Sequence, residues 1–351
     1  MASLSAADVI TQRLSHAAQE LGTADPKNFV GSLIHRSFPL PAGAKEYAAN
    51  ALTPGAVPCE PSFSEDEPRI LRFTIVPLDP RSSPVSRRAE ATREMRRLVG
   101  PLFGNDALRW FDQRSEDWRG LYSHSRLDYG AWFGTAYEKD GLHAAKVYYE
   151  MQPGQFDPLP NQLKQLTRSA MEAMPSLVPV FTTIRCGRDA GSQRVTFLHR
   201  GPMRLSSLAP LLERLGLAHQ LPSILKIAGV ALGGRFELPD RSVLMGLRET
   251  SEGPELKLEV LLSMLPDLPP NFLDLLALGI SERPQKLHAL GHWLRAFTPP
   301  SLEWPGDFSV MSLRITPRTS AHVSLYLRPT DLEVRRRLSD VESLRSSAAV
   351  A

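Results

Sequence analysis

Arg72, Lys146, Arg194, Lys257 and Arg328 each stand in a short stretch where polar and apolar residues alternate. The stretches are Leu71-Arg72-Phe73-Thr74-Ile75, Lys146-Val147-Tyr148-Tyr149-Glu150, Arg194-Val195-Thr196-Phe197-Leu198, Lys257-Leu258-Glu259-Val260 and His322-Val323-Ser324-Leu325-Tyr326-Leu327-Arg328. Successive strand residues point to opposite faces, so the cations share a face with Thr74, Tyr148, Thr196, Glu259 and Tyr326. The other face is nearly all Val, Leu, Ile and Phe. A cationic face suits an anion: arginine offers phosphate a bidentate fork and lysine a point charge. Ahead of the first cation, Cys59-Glu60-Pro61-Ser62-Phe63-Ser64 puts Glu60, Ser62 and Ser64 on one face. A carboxylate near a strand start is ordinarily solvated. In a partly dry lumen its pKa would rise, and it could accept a proton or hydrogen-bond an indole N–H or a phenol. Glu259 beside Lys257 forms a paired charge in either setting.

Other chemistries find little support. His288 and His292 have the spacing of two metal ligands on a helix face, but Ala289, Leu290 and Gly291 between them lack the glutamate of a zinc-protease motif. There is no glycine-rich phosphate loop and no spaced aspartate cluster to hold Mg²⁺ against a diphosphate. Any bound diphosphate must therefore be neutralised by Lys and Arg. Cys59 and Cys186 are the only cysteines, in no metal-ligand spacing, which fits a reducing cytoplasm rather than a disulfide framework. The net charge of +3, from 41 basic and 38 acidic residues, gives no nucleic-acid-binding tail. No run approaches the ~20 apolar residues that span a bilayer, and Met1-Ala2-Ser3-Leu4-Ser5 lacks the regions of a signal peptide. The expectation is a cytoplasmic globular protein without nucleic-acid or membrane partners.

The elements that must position these residues follow from periodicity. A helix is predicted over 5–22, with Val9, Ile10, Leu14, Ala17 and Leu21 on one side and Gly22 as its stop. A proline-rich approach leads to strands at about 58–64 and 69–77, then helical sequence over 84–114 broken at Gly100-Pro101. Strands at 126–138 and 142–151 turn at Lys139-Asp140-Gly141, where Asp-Gly suits a tight hairpin. A helix at 159–174 precedes strands 177–186 and 192–199, joined through Gly187, Asp189 and Gly191. One or two helices over 206–230, split near Pro222, lead to strands 235–248 and 255–263, which turn at Glu252-Gly253-Pro254. Helices at 269–278 and 284–297 precede strands 307–316 and 321–328. The tail 334–351 reads as a helix that frays into disorder.

Ten strands in five hairpins, each pair separated by helices, exclude a parallel doubly wound sheet. Hairpin centres near 66, 140, 189, 252 and 318 recur at a loose interval, as a decayed internal repeat would. Two arrangements stay open. In a sandwich the polar face meets water. In a barrel with helices outside, it becomes a lumen lined with cations, and ten antiparallel strands rarely stay open without curling or splitting.

The same residues resemble the aromatic prenyltransferases of the dimethylallyltryptophan synthase type, in a bacterial-like form. Three stretches carry the resemblance: Glu60-Pro61-Ser62-Phe63 with Ile70-Leu71-Arg72-Phe73-Thr74-Ile75-Val76-Pro77-Leu78; Lys146-Val147-Tyr148; and Arg194-Val195-Thr196 with Ser324-Leu325-Tyr326-Leu327-Arg328-Pro329. The resemblance implies an α+β fold, a ten-stranded antiparallel barrel of five ααββ units with helices outside. It implies one prenyltransferase domain over 1–333, with the N-terminal helix at about 5–22 and the barrel at about 58–330.

For function it implies transfer of a dimethylallyl or geranyl group from an allyl diphosphate to an electron-rich aromatic acceptor, an indole or tryptophan derivative. Glu60 would hold the acceptor, with His322 as its helper. Tyr148 and Tyr326 would shield the allyl cation, and Arg72, Lys146, Arg194, Lys257, Arg314 and Arg328 would bind diphosphate. No cofactor is implied as obligatory, and Mg²⁺ would be stimulatory at most. The family's third hairpin usually reads R-x-K-x-Y, whereas Thr196 and Leu198 stand at its Lys and Tyr positions here. Lys257-Leu258-Glu259 likewise replaces a polar residue and a Tyr, so the tyrosine shield is thin. Two alternatives remain: a phenol, phenazine or peptide side chain as acceptor, or a non-catalytic barrel holding an anionic or lipidic ligand.

Overall fold

The computed structural model describes residues 4–119, 127–152, 154–188 and 190–334. Its ten long strands are β1 (Cys59–Ser64), β2 (Leu71–Ile75), β3 (Ala131–Glu138), β4 (Gly141–Glu150), β5 (Leu177–Gly187), β6 (Gly191–His199), β7 (Val243–Thr250), β8 (Gly253–Leu261), β9 (Gly306–Ile315) and β10 (His322–Pro329). Each pairs antiparallel with its chain neighbour, and β1 pairs β10 with Ser62 opposite Tyr326, so the sheet closes into a barrel. Closure leaves this sheet without an edge and makes its polar face a lumen.

Nine helices surround the barrel among the described residues: α1 (Ala6–Leu21), α2 (Lys27–Ser37), α3 (Pro84–Phe103), α4 (Asn105–Arg119), α5 (Asn161–Ala173), α6 (Ala209–Arg214), α7 (Leu221–Ala231), α8 (Phe272–Gly279) and α9 (Pro284–Ala296). The core lies between them and the outer strand face, where Phe73, Val147, Val195, Leu258 and Leu325 meet Leu14, Leu33, Met95, Ile224 and Trp293, all buried. Burying each such side chain contributes about 1.5–3 kcal/mol. Helix α1 runs as its pattern predicts: the Ser5 side chain caps the Asp8 N–H, and Gly22 ends it at φ 67°, a left-handed conformation that glycine adopts freely.

Several boundaries differ from expectation. Helix α2 was not read from the sequence, although Val30, Leu33 and Ile34 carry helical spacing and form its buried face. The break predicted at Gly100-Pro101 falls at Gly104, because Pro101 sits in the last turn of α3 and forfeits only one hydrogen bond. Pro222 opens α7 instead of splitting a helix, since its fixed φ suits a first turn. Strand β7 begins at Val243, while Glu237–Leu238 pairs with Met203–Arg204 in a separate two-stranded sheet. The third unit carries one α-helix among the described residues, α5, where the repeat implies two. Arg126, Asp189 and the tail from 335 lie outside the described residues.

Two rims result. The hairpin turns form one end of the barrel, and the connections to helices form the other.

Candidate active site

The lumen holds a cavity of about 670 Å³ whose wall changes character along the barrel axis. At the turn rim stand Arg72, Arg185, Arg194, Arg248 and Arg314, with Asp66, Glu67 and His143. Across the middle lie Thr74, Lys146, Thr183, Thr196, Lys257 and Glu259. Toward the helix-side rim come Glu60, Tyr129, Trp132, Phe181, Leu198, Leu244, Leu261 and Val310.

The arginines are held by carboxylates. Glu255, 1% exposed, pairs with Arg194, with Arg248 at 2.5 Å and with Arg314 at 3.2 Å. Burial alone would raise its pKa, but the three guanidinium groups outweigh that and keep it ionised. In the β1–β2 turn, Glu67 meets Arg72 at 2.5 Å and His143 at 3.3 Å. Asp66 meets Arg314 at 2.6 Å and also His322. Hydrogen bonding from His143 and the charge of Arg72 bring Glu67 down to about 2. Burial works against Asp66, yet His322 and Arg314 bring it too down to about 2.

Lys146 is set apart. Its nitrogen lies 5.1 Å from the centre of the Tyr148 ring. Burial, followed by the charges of Lys257, Arg72, Arg194 and Arg185, lowers its pKa to about 7. An anion entering this space would restore its charge. Lys257 bonds Glu259 at 2.5 Å and the Tyr326 hydroxyl, and lies 4.8 Å from that ring's centre.

Glycines on neighbouring strands make room for two of the cations. A Cβ on Gly134, which faces Lys146 across β3–β4, would stand 2.7 Å from the Lys146 Cε. One on Gly246 would stand 2.7 Å from the Arg194 Cδ.

Near the helix-side rim, a bulge between Phe308 and Val310 in β9 turns Ser309 toward Glu60, and its hydroxyl donates to Oε1 at 2.5 Å. Burial still pushes Glu60 up to about 7, against the pull of that hydrogen bond. Beside it stands an aromatic wall. Tyr129 stacks on Trp132 at 4.5 Å, while Phe181 meets Trp132 at 5.4 Å and Tyr148 at 5.7 Å, both edge-on. Glu150 fixes this corner by accepting the backbone N–H groups of Asp128, Tyr129 and Gly130, the shortest at 2.7 Å.

Of the residues singled out from sequence, Glu60, Arg72, Lys146, Tyr148, Arg194, Lys257, Arg314 and Tyr326 line one cavity. Arg328 does not join them. Although it shares strand parity with Tyr326, it lies beyond the lumen at the helix-side end of β10, bound to Asp307 at 3.1 Å and Glu333 at 3.2 Å. His322 is bound to Asp66 at the turn rim, opposite Arg314 on β9, so it cannot assist Glu60 at the far end. Apart from Arg314, sequence reasoning sought cations on the second strand of each hairpin, and so missed Arg185 and Arg248, which stand on first strands at lumen positions. It also missed Glu255, which shares the parity of Lys257.

The sequence matches no protein-family model and no curated protein. Solved structures match well. Prenyltransferase PriB, in ternary complex with L-tryptophan and dimethylallyl thiolodiphosphate, superposes with a TM-score of 0.69 at 17% identity, covering 94% of this chain and 97% of PriB. The 6-dimethylallyltryptophan synthase of Micromonospora olivasterospora gives 0.70 at 16% identity, over 95% of this chain and all of that one. AnaPT of Neosartorya fischeri gives 0.61 at 11%, over 93% of each. The chain has the prenyltransferase barrel fold. Within this prenyltransferase barrel, the lumen that closure creates is the cavity described above. Among the described residues no helix is long and apolar enough to cross a membrane.

Proposed function

We propose that residues 1–333 form one catalytic unit that moves a prenyl group, dimethylallyl or geranyl, from an allyl diphosphate to an electron-rich aromatic ring, with an indole as acceptor. One observation carries this reading: a single closed lumen holds a cation cluster, two tyrosine faces and a buried carboxyl group in sequence along its axis. The related structures solved with an allyl thiolodiphosphate and tryptophan support it.

In this reading the C–O bond of the donor breaks and its electron pair leaves with the diphosphate. Arg72, Lys146, Arg194, Lys257 and Arg314 take up that charge, joined by Arg185 and Arg248. These cations fill the role a metal plays elsewhere, so Mg²⁺ is at most stimulatory. Tyr148 and Tyr326 present π faces to the allyl cation. The closed barrel keeps water from quenching it. A ring carbon then attacks the cation, and the proton displaced from that carbon passes toward Glu60, whose raised pKa suits a base near neutrality. Two free, buried cysteines fit a cytoplasmic setting for this work.

The test is incubation of the purified protein with dimethylallyl or geranyl diphosphate and a panel of indoles, phenols and small peptides, with EDTA, read by mass spectrometry. An acceptor mass raised by one prenyl unit supports the reading. No product across the panel, with the donor shown to bind, overturns it in favour of a binding barrel.

A further inference from the structure

Toward the helix-side rim the lumen wall is largely apolar, with Leu52, Phe181, Leu198, Leu244, Leu261 and Val310 lining it. Among the described residues, the charge it faces is carboxylate, and the one lysine beside that carboxylate is already paired: Glu259 holds Lys257 at 2.5 Å. Glu60 stands there with Ser309 as its hydrogen-bond donor, and Glu259 stands next along the axis. Among the described lining residues, every arginine sits at the turn rim, and Lys257 is already engaged by Glu259 and Tyr326. Lys146 lies over Tyr148, on the side where the donor's diphosphate would go.

A ring seated against Glu60 must lay its substituent along this apolar wall. An α-carboxylate placed there would give up its water for leucine and valine side chains, beside the Glu60 carboxyl group and with Lys257 already paired to Glu259. An uncharged, apolar substituent would instead bury its surface against them.

We propose that the acceptor is a neutral indole bearing an uncharged, apolar substituent, and not a free amino acid. The inference rests on the prenyl-transfer reading only in placing the ring beside Glu60. It departs from the L-tryptophan bound in the related structures, and it makes Leu244, Leu261 and Val310 specificity-determining residues.

Calorimetry on the protein saturated with dimethylallyl thiolodiphosphate tests it, using 3-ethylindole, L-tryptophan and indole-3-propionate as probes. The expected result is binding of 3-ethylindole about 100-fold tighter than of either carboxylate. Equal or tighter binding of L-tryptophan or indole-3-propionate overturns the inference, and so does failure of all three to bind. Binding is read apart from turnover, so absence of prenylated product would count against prenyl transfer while the ranking still decides the acceptor class. As a second readout, Leu244→Arg should bring L-tryptophan to within about tenfold of 3-ethylindole. A folded variant, checked by its melting curve, with the wild-type preference unchanged would also overturn it.

Discussion

The two ends of the lumen solve opposite problems. At the turn rim, five arginines crowd together, and the chain keeps them there by burying Glu255 among three of them and turning Asp66 and Glu67 inward. At the helix-side rim, one carboxyl group stands among leucines, valine and aromatic rings, supported by a single serine hydroxyl. The charged end is arranged in advance for an anion whose arrival adds to a compensated network. In the proposed reading the apolar end receives the flat acceptor ring, and burial leaves its carboxyl group near its titration point. In the proposed reaction, leaving-group stabilisation and a modest base would operate in one cavity without neutralising each other, because the middle of the barrel separates them.

Mutations should respect that separation. Lys146→Ala should have the largest effect, lowering turnover by about 10³-fold while leaving the melting temperature near wild type, since it removes charge stabilisation at the departing diphosphate. Near-normal kinetics would break the assignment of the charged end. Glu60→Gln should lower kcat by about 10²-fold and leave thiolodiphosphate affinity within twofold. A matching loss of donor affinity would mean that the two ends are not independent.

The pH dependence sharpens the contrast. Lys146 binds an anion in its protonated form, but its pKa in the free protein is lowered to about 7. Donor binding above that pH therefore requires proton uptake, and the Kd should rise by about tenfold per pH unit as pH climbs past 7. Lys146→Arg, charged throughout, should flatten that rise in a titration of thiolodiphosphate affinity. At the other end, Ser309→Ala removes a hydrogen bond that favours the charged form of Glu60. The acid limb of the kcat profile should move to higher pH, with a loss of only about threefold at its plateau. A comparably small effect should come from Gly134→Ala. Its methyl would press on the flexible end of Lys146, weakening donor binding by about threefold at little cost in stability.

How much was legible in the sequence follows the same division. The alternation around Arg72, Lys146, Arg194 and Lys257 was readable because strand period two is strict, and it placed these cations on the lumen face along with Tyr148 and Tyr326. Parity, however, says nothing about depth. Arg328 has the right parity, yet it lies past the end of the lumen, and His322 lies at the wrong rim for Glu60. Ser309 could not be read at all, since its direction depends on a bulge that moves the register of β9 by one residue. Phe181 and Trp132 carry no motif; they become a wall only when β3 and β5 flank β4. Glu255 gives no sign of its role in the sequence because its three partners come from β6, β7 and β9.

Barrel closure has a consequence for how the protein comes into being. The contacts that seal the lumen join the first and last hairpins: Glu60 meets Ser309 across 249 residues of chain, and Glu65 accepts the Val323 N–H across 258. During synthesis Lys146 is therefore made long before the segment that closes the barrel. In the unfolded chain Lys146 is an ordinary solvated amine with a pKa near 10.5. Its acidity thus belongs to the folded barrel, and an amine-selective label applied at neutral pH should mark that residue faster in folded than in unfolded chains.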